Sequence, residues 1–379
     1  MHPSSRKKIL ITHPYFLPAY KAGGPIQSIA NLCRIMKDEY EFFVACSDKD
    51  HLENIPLENI KQDNWNDFED GAASVFYISS KNEKRKTIKE IISEVQPAYI
   101  FINGIYSPNF TVAPLLSNKG GQKIISVRGM LHPGALSQKS FKKKIYLAIL
   151  KILDVKKNTI FHATDQQEAS HIRKLFGNGT KIFIAQNLPN QVKEKLSHFV
   201  LYGPMKLVSI ALISPMKNHA LVLQALNNIK APVEYDIYGP VKDAVYWDQC
   251  LEIIKSLPAN IKVTYKGSIA PSKVNDVLKN YHYLVQPSKS ENFGHAIYEA
   301  LSSGLPVITS HFTPWNNLEK NNAGWNVDID NRQSITTAFS KAIIVSKNDY
   351  QSWSNSAIEF AGKNINIENI KNQYRLLFK

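Results

Sequence analysis

Residues 290–308 read Ser-Glu-Asn-Phe-Gly-His-Ala-Ile-Tyr-Glu-Ala-Leu-Ser-Ser-Gly-Leu-Pro-Val-Ile. An apolar run at 281–288 precedes this stretch and another begins at Pro306, so the pattern predicts strand, loop, helix and strand. The loop leads into a helix N-terminus, where unpaired N–H groups and the helix dipole favour a phosphate. Glu291 lies before the helix and Glu299 within it. We therefore expect both carboxylates to face one cleft at the carboxyl ends of parallel strands.

The surroundings of Glu299 bear on this interpretation. A pair of glutamates on and before a helix is usually a capped, solvated surface. Here Glu299 stands among Ile297, Ala300 and Leu301 in the most apolar helical stretch of the chain. A purely solvent-facing position is hard to reconcile with those neighbours, and this favours a functional role.

The whole stretch 290–308 closely resembles the donor-site motif of the retaining nucleotide-sugar glycosyltransferases of family 4. The resemblance extends to the loops Asp236–Pro240, Tyr265–Gly267 and Thr313–Trp315, and in the first half to Gly23-Gly24 and Arg128–Leu131. It implies an α/β protein of the GT-B fold, with two Rossmann-like domains facing across a cleft and a C-terminal helix that crosses back to the first domain. It also implies a nucleotide-sugar donor as substrate, no cofactor and no bound metal.

The length of 379 residues favours two domains. We expect an acceptor-side domain at 1–190, a nucleotide-sugar domain at 191–365 and a final helix at 366–379. The polar segment Asn187–Lys195 is the candidate hinge, with closure about 187–205. Both halves alternate strands and helices, which indicates parallel sheets. The predicted strands are 8–12, 41–45, 74–78, 99–102, 123–127, 159–162, 181–185, 207–211, 235–238, 262–265, 282–285 and 306–309.

The resemblance assigns roles to residues of the second half. Glu299 would accept hydrogen bonds from the ribose, and Glu291 with the main chain of Asn292, Phe293 and Gly294 would orient the sugar. Gly239, Lys266 and Gly267 stand at strand ends that this family uses to hold the base and ribose. Simple turn chemistry explains those strand ends equally well.

Lys217 is a point cation suited to a departing diphosphate, because it neutralises negative charge that grows as the bond breaks. The family usually carries an Arg five residues earlier, but this chain has Leu212. That departure removes one cation and leaves a degenerate, inactive protein open as an interpretation. Lys21, Lys266 or Arg128 would be the substitutes.

Three further features lie in the first half. Gly23 and Gly24 permit positive φ and close approach to a ligand, and Pro25 suits the first turn of a helix, so we expect a second helix N-terminus facing the diphosphate. Arg128 beside Gly129 is a candidate for a phosphate or acidic group. His132 would contact the donor sugar or the acceptor, although a lone histidine near a Pro-Gly turn is more often structural.

The charge distribution points to an anionic partner. The net charge is +14, and ten Lys or Arg residues lie between Lys119 and Lys157 against the single Asp154. The segment 139–157 is basic and amphipathic. A helix packed on the domain core is its default interpretation, but contact with an anionic membrane surface is also favoured. Nucleic acid is not expected, because no basic and aromatic residues interleave on a recognisable module.

The sequence also limits the location of the protein. The three cysteines, Cys33, Cys46 and Cys250, lie far apart, which argues against a disulfide framework or a zinc site. No apolar run is long enough to span a bilayer, and the first residues do not resemble a secretory signal. We therefore expect a cytoplasmic protein, peripheral on the inner face of the cell membrane.

These observations favour a retaining glycosyltransferase that moves a sugar from a UDP- or GDP-sugar to a glycan or lipid-linked acceptor in surface polysaccharide biosynthesis. Two alternatives stay open. One is a nucleotide-sugar 2-epimerase of the same fold, which needs no acceptor. The other is a degenerate, non-catalytic partner that binds nucleotide sugar or membrane.

Overall fold

The structure is a computed structural model that describes residues 6–132, 136, 140–152, 155, 157–190 and 203–379. The chain divides into two compact units. The first unit comprises Met1–Leu188 and Ile367–Lys379, and the second comprises Pro189–Asn366. Most of the predicted hinge, 191–202, lies outside the described residues.

The first unit is built on an eight-stranded sheet of order β3-β4-β2-β1-β5-β6-β7-β8. Its neighbouring strands are parallel, except that β3 pairs antiparallel with β4. The strands are β1 (Lys7–Thr12), β2 (Tyr40–Ser47), β3 (Trp65–Phe68), β4 (Ala73–Ile78), β5 (Tyr99–Asn103), β6 (Gln122–Ser126), β7 (Thr159–Ala163) and β8 (Ile182–Ile184).

Helices alternate with these strands, as the pattern predicted. They are α1 (Gly24–Met36), α2 (Arg85–Val95), a π-helical turn (Pro108–Val112) that continues into α3 (Ala113–Leu115), α4 (Ser140–Ile152) and α5 (Gln166–Phe176). All seven strands predicted for this half are confirmed. The edge strand β3 was missed, because four residues with three partly or fully exposed side chains carry little apolar signal.

The second unit has a parallel six-stranded sheet of order β11-β10-β9-β12-β13-β14. Its strands are β9 (Met205–Ile210), β10 (Val233–Tyr238), β11 (Ile261–Gly267), β12 (Tyr283–Gln286), β13 (Val307–Ser310) and β14 (Gly324–Val327), of which only β14 was not predicted. Its helices are α6 (His219–Leu226), α7 (Ala244–Lys255), α8 (Val274–Leu278), α9 (His295–Ser303), α10 (Arg332–Asn348) and α11 (Tyr350–Asn364).

Both faces of this second sheet are covered, which is why its strands read as nearly continuous apolar runs. Successive residues of a strand point to opposite faces. Accordingly, Leu207 belongs to the apolar cluster that includes α6, α7 and α10 residues, whereas Val208 belongs to the cluster that includes α8, α9 and α11 residues. The helices therefore form a layer on each side of the sheet.

The C-terminal helix α12 (Ile367–Leu377) belongs to the first unit. Arg375 forms a two-point contact with Glu39, at 2.6 and 2.8 Å. The ring of Phe378 packs against the rings of Tyr40, Tyr99 and Phe101, with centroids 5.4–5.7 Å apart. The predicted return of the final helix to the first domain is thus confirmed. Among the helices described, none is long and apolar enough to cross a bilayer.

Candidate functional site

The site in the second unit begins at the point where the strand order reverses. From β9 the chain moves outward to β10 and β11, and it then crosses to the other side of β9 to form β12, β13 and β14. Ligands of open α/β sheets bind outside the carboxyl ends of the strands at such a point. The loops that follow β9 and β12 are joined there, because the amide of Lys289 donates to the carbonyl of Met216 at 2.8 Å.

Glu291 and Lys217 meet at this junction. Glu291 follows β12 and Lys217 follows β9, and their side chains form an ion pair. The amide of Gln286 and the hydroxyl of Ser288 each donate to the same carboxylate oxygen, Oε1, at 2.8 Å. Only 11% of the Glu291 side chain and 19% of the Lys217 side chain are exposed. The tertiary structure thus joins two residues that are 74 positions apart in the sequence.

The carboxylate of Glu291 is held in its charged form. Burial by itself would raise the pKa of Glu291, but the charge of Lys217 and the hydrogen bonds from Lys217, Ser288 and Gln286 outweigh burial and lower it. Gln286 and Ser288 were not identified from the sequence as site residues. The available signal was that they are polar residues at the end of an otherwise apolar strand.

Lys217 is fixed by the shape of its own loop. Its amide donates to the carbonyl of Ser214 at 3.0 Å, and Asn218 then adopts the left-handed conformation, with φ 61°, at the start of α6. Leu212 precedes this turn and is only partly buried, outside the apolar core of the unit.

Gly294 is the capping residue directly before α9 and adopts the left-handed conformation, with φ 75° and ψ 65°. A Cβ at this position would lie 3.0 Å from Cδ1 of Ile297 in addition to the strain of positive φ, so glycine is favoured for two reasons. The first amides of a helix have no partner within the helix. The turn before α9 therefore presents N–H groups and the positive end of the helix dipole at the carboxyl edge of the sheet.

Phe293 in the same loop is held in place by contacts with Trp315. The indole N–H of Trp315 donates to the carbonyl of Phe293 at 2.6 Å, and the two rings pack edge to face with centroids 5.7 Å apart. Trp315 is 3% exposed, so it acts as a packing residue that positions the loop. Asn292 lies between Glu291 and Phe293 and is partly exposed.

Glu299 lies on α9 and is 6% exposed, which confirms that it does not face solvent. Its carbonyl accepts a hydrogen bond from the hydroxyl of Ser303 at 2.6 Å. Burial raises the pKa of the neighbouring Tyr298, and the carboxylate of Glu299 raises it further. The helix therefore holds this acidic side chain in a largely buried position.

The ends of β10 and β11 carry the other predicted residues of this unit. Gly239 has φ 141°, and a Cβ there would lie 1.8 Å from the carbonyl oxygen of Ala211. Its amide donates to the carbonyl of Gly267 at 2.8 Å. Gly239 is therefore required by close backbone packing, whatever else it does. At Gly267, which has φ 74°, an added Cβ would meet nothing within 4 Å, so only the backbone conformation favours glycine.

Lys266 takes part in a small polar cluster. Its ammonium lies 3.4 Å from Oδ2 of Asp236, which also accepts a hydrogen bond of 2.6 Å from the hydroxyl of Tyr281. Burial raises the pKa of Tyr281, and the contacts with Asp236 and Tyr238 raise it further. Tyr281 was not identified from the sequence, because it reads as an ordinary residue at the start of an apolar strand.

In the first unit, Gly23 is the capping residue before α1, with φ 85° and ψ −144°, and Gly24 is the first residue of that helix. Pro25 follows in the first turn, as expected. The two glycines therefore stand at a helix N-terminus after β1. Whether they contact a diphosphate stays a prediction.

Arg128 follows β6 and is engaged within its own unit. It adopts φ 51°, its Nε donates to the side-chain oxygen of Asn103 at 2.9 Å, and its Nη1 contacts the side-chain oxygen of Asn187. The guanidinium carbon lies 5.8 Å from the centre of the Phe101 ring. Burial lowers the pKa of Arg128. Contact between Arg128 and a ligand phosphate also stays a prediction.

His132 and His13 are two of the histidines of the first unit whose pKa values are lowered. Burial lowers the pKa of His132, and the nearby His171, with ring centroids 5.4 Å apart, lowers it further. His13 directly follows β1, and burial lowers its pKa to about 4, with a smaller contribution from Arg128. His13 was not singled out from the sequence, although its position after the first strand was a usable signal. A catalytic or binding role of His132 stays a prediction.

No group of three or more His, Cys, Asp or Glu side chains is placed to hold a metal ion within the ranges that the structure describes. The two lysines predicted for this unit, Lys217 and Lys266, each contact a carboxylate, and the contact of Lys217 is the closer one.

Comparison with known proteins gives a consistent result. Residues 190–360 match the family model described as glycosyl transferases group 1. A curated relative, the UDP-N-acetylglucosamine–peptide N-acetylglucosaminyltransferase GtfA subunit of Streptococcus agalactiae, is 31% identical over 128 residues. That match spans 32% of this chain and 24% of the relative, so it concerns about a quarter of the relative's length.

Solved structures resemble the chain over nearly its whole length. Sucrose-phosphate synthase from Thermosynechococcus elongatus has a TM-score of 0.72 at 15% identity, covering 98% of this chain and 99% of that one. Anabaena HepE in complex with UDP and glucose has a TM-score of 0.74 at 14% identity, with the same coverage. At these identities the similarity establishes the fold, and it confirms the predicted GT-B architecture of two α/β domains.

Proposed function

We propose that this protein is a retaining, metal-independent glycosyltransferase that uses a UDP- or GDP-sugar. The observation that carries the proposal is the Lys217–Glu291 ion pair at the switch point of the second sheet, inside the region that matches group 1 glycosyltransferases. The UDP bound to HepE and the UDP-sugar in the name of the streptococcal relative favour UDP as the nucleotide.

In this proposal the donor diphosphate lies against the N-terminus of α9 and takes Lys217 as its cation. The bond between the anomeric carbon and the phosphate oxygen breaks, and a new bond forms from that carbon to the acceptor hydroxyl oxygen on the same face. The acceptor proton passes to the departing diphosphate. Negative charge on the diphosphate grows in this step, so a fixed lysine and oriented N–H groups stabilise the transition state more than the ground state.

The two carboxylates, Glu291 and Glu299, are assigned to different parts of the donor. The three hydrogen-bond donors described for Glu291 all use Oε1, which leaves Oε2 as the oxygen that we assign to a hydroxyl of the transferred sugar. Glu299, buried on α9, is assigned to the ribose. Asn292, Phe293 and Gly294 orient the sugar through their main chain, and Gly239, Lys266 and Gly267 line the base and ribose side.

A screen of nucleotide sugars by thermal shift tests the donor assignment, since only ligands of the folded state raise the melting temperature. UDP- or GDP-sugars should raise it, and Glu299→Ala should abolish most of the shift. If no nucleotide sugar shifts the wild type, the proposal fails and the degenerate-partner alternative, suggested by Leu212, takes its place. An assay for epimerised UDP-sugar in the absence of acceptor separates the transferase from the 2-epimerase.

We further propose that the acceptor is a glycan or a lipid-linked glycan in surface polysaccharide biosynthesis, reached at the inner face of the cell membrane. The support is the outer face of α4. Lys144, Ile145, Ile149 and Lys151 are all exposed, with 48% of Ile145 and 44% of Ile149 accessible. Two aliphatic side chains one helical turn apart, flanked by lysines, suit an anionic lipid surface. The side chains of residues 139–142 and 152–154 lie outside the described set.

Vesicle co-sedimentation tests this contact. Wild-type protein should bind phosphatidylglycerol vesicles at low salt and lose binding as salt rises. The double variant Lys144→Gln with Lys151→Gln should weaken the electrostatic contribution to vesicle binding. The double variant Ile145→Ser with Ile149→Ser should weaken the apolar contribution. Wild-type protein that binds no vesicles at low salt would end this part of the proposal without touching the transferase assignment.

A further inference from the structure

Lys217 has two anionic partners in the proposed reaction. In the structure its ammonium pairs with Oε1 of Glu291, and in the proposed function it also serves the donor diphosphate. An ammonium is a compact point charge, so its attraction for one anion weakens when it turns towards a second one. A largely buried carboxylate that loses its cation takes up a proton more readily. Sugar transfer therefore needs other groups that keep Glu291 charged and in place.

Two neutral hydrogen-bond donors are available for this role. The side-chain amide of Gln286 and the hydroxyl of Ser288 each donate to Oε1 of Glu291 at 2.8 Å. Both residues are buried. In the described part of the chain, Lys217 is the only other hydrogen-bond donor to this carboxylate. When Lys217 turns to the diphosphate, the hydrogen bonds from the amide and the hydroxyl therefore remain.

These two groups are anchored independently of Lys217. The hydroxyl of Thr309 donates to the carbonyl of Gln286 at 2.7 Å, and the hydroxyl of Ser310 donates to the carbonyl of Ser288. Both hydroxyls come from β13 and are carried by buried residues. The amide of Ser288 in turn donates to the carbonyl of Gln286 at 2.8 Å. A movement of the Lys217 side chain therefore leaves both groups in place.

Stability does not explain the presence of Gln286. It ends β12 directly after Leu284 and Val285, which are buried and apolar. Its Nε2 faces the carboxylate of Glu291, because Oε1 there would place two acceptors against each other. Oε1 is buried and has no hydrogen-bond partner among the described residues, which costs free energy. A leucine would occupy the position without that cost, so the bond to Glu291 is the contribution that requires glutamine.

We propose that Gln286 and Ser288 are positioning residues that keep the carboxylate of Glu291 charged and in place while the donor diphosphate engages Lys217. This inference rests on the proposed function, because it needs a diphosphate beside Lys217. Both residues act through Glu291, and neither contacts the donor. Because they hold Oε1, Oε2 stays available to the sugar hydroxyl that we assign to it.

The charges around Glu291 make its protonation a measurable signal. Burial raises the pKa of Glu291, and the charge of Lys217 with the three hydrogen bonds lowers it. A bound diphosphate draws Lys217 away and adds negative charge, and both effects raise the pKa. In the described part of the chain, the other titratable side chains of the adjoining loops and helices form no hydrogen bond with this carboxylate; they are His219, Lys289, His295, Glu299 and His311.

The test counts the protons that are taken up when UDP binds, by calorimetry at about pH 5 in buffers of different ionisation enthalpy. The variants are Gln286→Leu, Ser288→Ala and the two together. The control is Ser209→Ala, which removes an equally buried hydroxyl from β9 of the same sheet. That hydroxyl donates to the carbonyl of Val285 and not to Glu291. Proton exchange by UDP itself is common to all the proteins and cancels in the comparison.

The double variant should take up more protons than the wild type, by up to about one proton per UDP, because a single carboxylate is protonated. Ser209→Ala should match the wild type. Each single variant keeps one neutral hydrogen-bond donor and should fall between the wild type and the double variant. Adding Glu291→Gln to the double variant should remove the extra uptake, which would assign it to this carboxylate.

Equal uptake in the wild type and the double variant would overturn the proposal and leave the transferase assignment intact. The proposal would also be wrong if Ser209→Ala showed the same extra uptake, or if the extra uptake survived Glu291→Gln. If the double variant does not fold, the single variants decide by the same comparison. A wild type that binds neither UDP nor GDP would refute the proposed function together with this inference, so the two failures are distinguishable.

Discussion

Replacing Glu291 by Gln keeps the shape of the side chain and removes its charge. In the wild type, Oε1 accepts from Lys217, Gln286 and Ser288 in a largely buried position. The introduced amide would keep a neutral acceptor there but leave the ammonium of Lys217 without its counter-charge. Breaking a fully buried ion pair costs about 3–5 kcal/mol, and the partial exposure of Lys217 lowers this to about 2 kcal/mol.

Glu234 offers a matched control in the same unit. Its carboxylate lies 4.0 Å from the ammonium of Lys206, and the two side chains are 39% and 44% exposed. Glu234→Gln should therefore cost no more than about 0.5 kcal/mol. In thermal unfolding, 1 kcal/mol corresponds to roughly 2–4 °C for a domain of 150–250 residues, so the two variants should differ by several degrees.

Turnover gives the functional half of the same prediction. If Glu291 orients the sugar, Glu291→Gln should lower kcat by about a hundredfold or more, while the Kd for UDP changes by less than about threefold, because Lys217 remains available to the diphosphate. Transfer from the UDP-sugar and calorimetric UDP binding are measured on the same preparation. Equal losses of kcat and UDP affinity would refute the sugar-orienting role. A melting temperature equal to that of the Glu234 variant would refute the energetic argument.

The pH dependence of this difference has a definite sign. The pKa of Glu291 is lowered in the folded protein, so its contribution to stability is present above the ordinary carboxyl pKa of 4.5 and is lost as the pH falls through the folded-state value. The stability difference between wild type and Glu291→Gln should hold from pH 7 to about pH 5 and shrink at lower pH. A difference that grows towards acid pH would contradict the assigned charge state.

Three further predictions follow from other residues. Glu299→Ala should weaken UDP binding by roughly 1–3 kcal/mol, the scale for a hydrogen bond to a charged group, and unchanged affinity in a folded variant would remove Glu299 from the site. Because Leu212 is only partly buried, Leu212→Arg should fold and strengthen UDP binding measured by calorimetry, whereas a large loss of melting temperature would place it in the core. Burial and the charge of Arg128 lower the pKa of His162 to about 3. The free energy of unfolding should therefore fall as the pH drops from 6.5 towards that value, by up to ~1.4 kcal/mol per pH unit. In His162→Gln, chemical denaturation should show a smaller dependence of this free energy on pH.

Local pattern was sufficient for most of the fold. The strands and the final helix were predictable because each carries its own apolar periodicity, and the motif at 290–308 supplied strand, turn and helix in register. The missed strands β3 and β14 are four residues long, as are the predicted strands β12 and β13, so length alone does not explain the omission. Three of the four side chains of β3 are partly or fully exposed, and β14 begins with Gly324, so both carry a weak strand signal.

Some features of the candidate site were predictable from the sequence, and others required the tertiary structure. The sequence by itself identified Glu291, Glu299, Lys217 and Gly294 as residues whose chemistry and spacing suit a nucleotide sugar, and it revealed the departure at Leu212. It did not show that Lys217 contacts Glu291, because that contact requires the chain to place β9 beside β12, and strand order is a property of the folded sheet.

Only the tertiary structure decided which side chains form hydrogen bonds with the site residues and which are buried as packing residues. Gln286 and Ser288 converge on Oε1 of Glu291, Trp315 is buried beneath Phe293, and Gly239 is required by a carbonyl of the adjacent loop. Periodicity along the chain records which side of an element is buried, whereas the distance between two side chains depends on how the elements pack.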